Sequence, residues 1–178
     1  MTQWLNRQDI YEGKIIRVSR AETLLAGQTQ RFDIVSHYGG AAVVPLRGDR
    51  VLLVRQRRPV VDESLLEIPA GKLESADDDP AARAQAELGE EVGYHAGRLI
   101  PVANFYVSPG YCTERIAVFL GLDLEPTEAR PEDTEDIEVV EMPLDEARRM
   151  LDAGRFRDGK TIIGLRELLA YLAREGEQ

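Results

Sequence analysis

The chain has 178 residues, 43% hydrophobic and 30% charged, which suits one globular domain with a sizeable core. A formal net charge of −10 argues against non-specific nucleic-acid binding, which needs basic surface to displace counterions. The lone Cys112 excludes an internal disulfide, and no apolar run approaches the roughly 20 residues of a membrane span. The opening MTQWLNRQDI lacks the basic and apolar regions of a signal peptide, so a cytoplasmic location is expected.

From Lys14 to Ser36 the runs IIRVSRAETLLAG and TQRFDIVS flank a turn at Gly27 and predict an antiparallel hairpin. AAVVPL (Ala41 to Leu46) and RVLLVRQ (Arg50 to Gln56) predict a second hairpin of central strands, with Arg47-Gly48-Asp49 as its tight turn rather than an adhesion signal. An acidic helix is then expected to start at Asp79 as N-cap, with Pro80 in the first helical position, and to stop at Gly93. Within it Glu87, Glu90 and Glu91 are spaced i, i+3, i+4 and share one face. Three like charges there weaken the helix; a divalent cation would convert that cost into a ligand set, since Mg²⁺ takes carboxylate oxygens, waters and substrate phosphates.

RLIPVANFYV and RIAVFLGLDL predict two more strands. EPTEARPEDTED (Glu125 to Asp136) has the composition of a mobile loop. EDIEVVEMPL predicts a last strand running into a helix from Leu144 to Ala153. Residues Gly154 to Thr161, GRFRDGKT, match the phosphate-loop pattern GxxxxGK[ST] letter for letter. A helix precedes them and only 17 residues follow, so a structural role is expected instead, with Asp158 capping the last helix. That helix, Thr161 to about Arg174, carries an apolar stripe of Ile162, Leu165, Leu168, Leu169 and Leu172.

The stretch from Gly71 through Ala86-Glu87-Leu88-Gly89-Glu90-Glu91-Val92-Gly93-Tyr94 resembles the Nudix box: a glycine, a long loop, then a helix bearing REUxEExGU with U a bulky aliphatic. Two departures stand out. The loop is one residue longer than the common spacing, and Ala86 occupies the arginine position, with Arg83 at i−4 from Glu87 able to supply part of the missing charge. Pro109, sixteen residues beyond Gly93, together with VRQRRP (Val54 to Pro59), LEIPAG (Leu65 is its neighbour, Leu66 to Gly71 the run) and FRDGKT (Phe156 to Thr161), is similar to the ADP-ribose pyrophosphatase subgroup.

The resemblance implies an α/β fold of the α+β type, a Nudix α-β-α sandwich around a mixed sheet. A small antiparallel β-subdomain over residues 1–38 would precede the hydrolase domain at 39–178 and be exchanged within a homodimer. Hydrolysis of a phosphoanhydride needs its charge neutralised and a water activated, which about two or three Mg²⁺ or Mn²⁺ ions per site supply. Glu87, Glu90 and Glu91 are the expected ligands, and the resemblance adds the Ala70 carbonyl. By the same resemblance the catalytic set is Glu135 with Glu90 and Glu91, Glu135 being the base or an extra ligand and Glu132 and Asp133 its neighbours. Arginine forks suit phosphate, so Arg58 is the leading contact, and Arg55 and Arg57 alternate with it. Glu114 is expected at the terminal ribose near Pro109, and Arg31 with Phe32 at the adenine end; Trp4 and Tyr11 are candidates for stacking on the base across a dimer. The substrate is expected to be a small nucleotide diphosphate, ADP-ribose giving AMP and ribose 5-phosphate, with no nucleic-acid or membrane partner. Another nucleotide sugar or dinucleotide (GDP-mannose, Ap₂A) and a non-catalytic ADP-ribose sensor are the alternatives.

Overall fold

The computed structural model describes residues 2–127 and 137–176. Strands β1 (Trp4–Glu12), β2 (Arg17–Leu25) and β3 (Gln28–Ser36) form a separate antiparallel sheet in that order. Leu25 pairs with Gln28, leaving a two-residue loop in which Ala26 and Gly27 both have positive φ (51° and 79°), the mirror-image turn that matches strand twist. The hairpin expected there is present, but β1 was not foreseen. WLNRQDIYE shows no alternation because every residue of β1 is exposed in the chain, so no buried face imposes a period of two.

The second sheet runs β10-β5-β4-β9-β8, with β6 added to β5 and β7 to β4. Its strands are β4 (Gly40–Arg47), β5 (Arg50–Arg58), β6 (Glu63–Glu67), β7 (Ala70–Lys72), β8 (Tyr94–Tyr106), β9 (Arg115–Pro126) and β10 (Ile137–Pro143). β4 and β9 pair in parallel and the remaining neighbours antiparallel, so the sheet is mixed. Both faces of its centre are buried, and alternation sorts the side chains between them. Ala41, Val43, Leu52 and Val54 meet helix α1 (Pro80–Glu87) through Ala84 and the following Leu88. Ala42, Val44, Val51 and Leu53 meet α2 (Leu144–Asp152) and α3 (Gly159–Gly176) through Ala147, Leu151, Leu165 and Leu168. Near-continuous apolar strands buried on two faces require helices on both sides, and the expected α-β-α layering follows.

One irregularity of this sheet positions everything functional. The β4–β5 hairpin is paired only at Leu46↔Val51 and Arg47↔Arg50, then splays. β6 pairs with the freed edge of β5 and β7 with the freed edge of β4, while Val43 N–H donates to the Pro69 carbonyl at 3.0 Å. The Glu67-to-Gly71 segment is thereby wedged into the middle of the sheet. The small sheet attaches beside it, where Val35 N–H donates to the Tyr111 carbonyl (2.8 Å) and Thr113 N–H to the Val35 carbonyl (2.9 Å).

The acidic helix keeps its expected limits but not its expected winding. Asp79 caps it, accepting from Ala81 N–H at 3.0 Å, and Gly93 ends it at φ 79°. From Leu88 to Val92, however, the chain widens into a π-helical turn. Gly89 is a weak helix former and like charges at Glu87 and Glu91 oppose a regular turn; such π-turns are frequent at functional sites. On the opposite face Gly164 lets α3 lie against the sheet, since a Cβ there would come within 2.7 Å of Val44 Cγ2 and 3.0 Å of Ile68 Cδ1. Gly164→Val should therefore overpack this contact and cost about 1–3 kcal/mol in urea unfolding, well beyond a surface substitution on the same helix.

Candidate active site

Helix α1 crosses the wedged segment so that the Glu87 carboxylate rests on the backbone of Gly71. A Cβ at position 71 would overlap that carboxylate and stand 2.8 Å from Arg83 Nε, so a larger residue there must push the Glu87 side chain away. Next to it Ala70 N–H donates to Glu91 Oε2 at 3.1 Å. Glu87 and Glu91 are buried, whereas the Glu90 side chain is half exposed. The π-turn thus divides the three glutamates into an inward pair and one at the rim. Among the described residues no three His, Cys, Asp or Glu side chains converge on a common point.

Arg83 carries the countercharge. Its guanidinium pairs with Glu87, one turn on, and lies 3.7 Å from Glu90, so positive charge reaches the box although Ala86 brings none. The cleft in front of these groups, about 550 Å³, is also lined by Gln56, Arg58, Lys72 and Ile15. That volume suits a small molecule. Hard oxygen donors on two buried carboxylates, one of them resting on the Gly71 backbone, fit a cation such as Mg²⁺.

Arg58 does not point at the cleft as an isolated charge. Its Nε and Nη2 donate to Glu67 Oε1 and Oε2 at 2.7 and 2.8 Å, a bidentate pair. Lys160 also binds Glu67 and lies 3.1 Å from Asp158 Oδ1. Asp158 Oδ2 accepts from Thr161 N–H (2.9 Å) and Oγ1 (2.6 Å), capping α3 as the sequence suggested, and Thr161 Oγ1 accepts from Ile68 N–H (2.9 Å). Three separate runs, VRQRRP, LEIPAG and FRDGKT, therefore meet in one polar cluster around the buried Glu67. Sequence reasoning had no role for Glu67 or Lys160; their only signal was membership of those runs. Burial would raise the Glu67 pKa, but hydrogen bonds from Arg58 and the charge of Lys160 outweigh it and hold it at about 2.

The other expected site residues lie apart. Pro109 lines a neighbouring cleft with His37, Tyr38, Tyr106 and Cys112, and Glu114 stands beside it, its Oε1 3.8 Å from His37 Nδ1. Arg31 lies on β3 of the small sheet, 77% exposed and paired with Glu22 at 2.6 Å, and is not among the residues lining either cleft. Phe32 packs edge-on against Trp4, with ring centroids 5.9 Å apart. Arg55 and Arg57 are occupied at the surface by Glu138 and Asp62. Glu135, Glu132 and Asp133 lie outside the described residues.

Two consequences are measurable. Gly71→Ala must displace Glu87, so turnover should fall by about two orders of magnitude, as for a ~1 Å misplacement of catalytic groups, while the thermal midpoint moves little. Glu67, with a folded pKa of about 2 against an ordinary 4.5, contributes stability that is fully present above pH 4.5 and lost as pH falls towards 2. Urea unfolding across that window should show the wild type losing up to about 3 kcal/mol relative to Glu67→Gln.

The NUDIX domain family model matches residues 37–163, more than half of the chain. The ADP-ribose pyrophosphatase of Bacillus subtilis (strain 168) is 34% identical over 166 residues, covering 91% of this chain and 89% of its own. A methanol dehydrogenase activator of Bacillus methanolicus is 32% identical over 168 residues, covering 92% and 90%. A GDP-mannose pyrophosphatase of Citrobacter koseri (strain ATCC BAA-895 / CDC 4225-83 / SGSC4696) is 38% identical over 131 residues, 68% of this chain and 65% of its own. A crystal structure of an ADP compounds hydrolase superposes with a TM-score of 0.85 over 99% of this chain and 97% of its own, at 18% identity, and so shares the fold. With the family model spanning most of its length and a relative 34% identical over 91% of it, the chain belongs to the Nudix hydrolase family.

Proposed function

We propose that this enzyme hydrolyses the diphosphate of ADP-ribose to AMP and ribose 5-phosphate with Mg²⁺ or Mn²⁺. The observation that carries the reading is the buried pair Glu87 and Glu91, set against the Gly71 backbone in one cleft with Arg58. Nudix hydrolases generally use divalent metal ions. Bound here, such ions (about two or three per site) neutralise the diphosphate and lower the pKa of the attacking water. Glu87 and Glu91 with the Ala70 carbonyl would hold them, and Glu90 at the rim completes the set. Arg83, already paired with Glu87, holds that carboxylate in place.

Arg58 takes the phosphate and Glu67 fixes its fork. The cleft beside Pro109 takes the terminal ribose, with Glu114 as its hydrogen-bonding group. Glu135 is assigned as the base: it takes the proton of water as oxygen attacks phosphorus and the bridging P–O bond breaks, releasing two phosphate monoesters. Residues 1–38 act as a subdomain exchanged in a homodimer, with 39–178 as the hydrolase domain. The small sheet supports this, since Leu5, Ile10, Tyr11, Leu24 and Leu25 are exposed on it and a second copy would cover them. In that assembly Arg31 becomes a candidate for the adenine end. A cytoplasmic location accords with the lone cysteine, and no helix among the described residues is long and apolar enough to cross a membrane.

The GDP-mannose pyrophosphatase relatives make that sugar nucleotide the second reading to test. AMP or GMP release is measured from ADP-ribose, GDP-mannose, Ap₂A and NADH with Mg²⁺ or Mn²⁺. ADP-ribose should be the preferred substrate, and Glu91→Gln should lower kcat about a hundredfold or more with little change in melting. A GDP-mannose preference would remove the substrate assignment, and turnover of none would favour a non-catalytic sensor.

A further inference from the structure

Lys160 is 9% exposed and does not line the acidic cleft, so no substrate atom reaches it. It nonetheless sits between the two carboxylates of the buried cluster, Glu67 and Asp158. Charge counting explains what it does there. Arg58 and Lys160 contribute two positive charges, Glu67 and Asp158 two negative ones, and the set is neutral. Without Lys160 the same set carries one net negative charge beside the place assigned to a diphosphate. Glu67 would then spend its whole charge on Arg58, and the field of that guanidinium at the cleft would be cancelled.

Geometry points the same way. A bidentate carboxylate fixes the plane of a guanidinium, and Lys160 in turn fixes the carboxylate. The fixation continues through Asp158 and Thr161 Oγ1 to Ile68 N–H, two residues before Ala70. One lysine on α3 therefore touches both the orientation of the phosphate fork on β5 and the backbone that approaches Glu91.

From this we infer that Lys160 is a positioning residue for substrate: through Glu67 it aims the Arg58 fork into the cleft and keeps its charge available to the diphosphate. The inference rests on Arg58 being the phosphate contact, and it assigns a function to the segment that mimics a phosphate loop.

Steady-state hydrolysis of ADP-ribose with Mn²⁺ tests it through sign as well as size. Lys160→Met should raise KM about tenfold or more while kcat changes far less, the pattern of weakened substrate binding. Lys160→Arg keeps the charge and should recover most of that loss. Asp158→Asn leaves an amide able to cap α3 and turns the cluster net positive, so it should leave KM unchanged or lower. A variant that simply loosened the fold would not separate by charge in this way. In the double variant Arg58→Met/Lys160→Met the KM should be no higher than in Arg58→Met alone, because the lysine acts through that arginine. Additive effects, or a Lys160→Met enzyme of normal KM, would overturn the inference. If Arg58→Met itself had a normal KM, the phosphate assignment would fall, and no turnover by the wild type would remove the functional reading along with this one.

Discussion

A carboxylate occupies the space that a side chain at residue 71 would need, and the rest of the site is arranged around that approach. Glu87 reaches the Gly71 backbone because α1 lies directly on the sheet, packed through Ala84 and Leu88. Gly71 is there to be approached because β6 and β7 push into the split between β4 and β5. A regular hairpin would have paired β4 with β5 along its length and left no room for the Glu67-to-Gly71 segment. The irregular sheet is thus a precondition of the acidic cleft.

Burying acidic side chains in a chain of net charge −10 requires local compensation, and the structure provides it twice. Arg83 sits on Glu87 and near Glu90, on the helix itself. Lys160 and Arg58 balance Glu67 and Asp158 beneath the cleft. The two devices differ in kind. The first lies open at 36% side-chain exposure and faces the place where a cation would bind. The second is anchored on Glu67 at 1% exposure, with Lys160 buried beside it and Arg58 reaching the cleft wall.

How much of this could be read from the sequence depends on whether burial left a local trace. β4 and β5 were legible because both faces are buried and the run is unbroken by polar residues. The limits of the acidic helix were legible because Asp79, Pro80 and Gly93 act locally, through a side-chain cap and through backbone geometry. β1 was not, since its strand character comes from pairing to β2 rather than from its own side chains. The π-turn was also hidden: ExxEE at i, i+3, i+4 reads as one regular face, and only packing shows that Glu90 turns outward. The sequence marks Arg58 as the leading phosphate contact but not its bond to Glu67, which joins strands β5 and β6 and needs the splayed hairpin to exist.

The GRFRDGKT run shows why letters alone do not fix chemistry. In a phosphate loop the lysine must reach a phosphate and the following amides must be free to donate to it. Here Lys160 is held by Glu67 and Asp158, the Thr161 amide is already donated to Asp158, and the Thr161 hydroxyl is committed to Asp158 and Ile68. The lysine and the threonine that would bind the anion thus already have protein partners. The acidic residue at position 158 decides the matter: its carboxylate takes the place at the start of α3 that a phosphate would need, and it turns the lysine inward towards Glu67. The same eight letters thus become a strut joining α3 to the wedged segment.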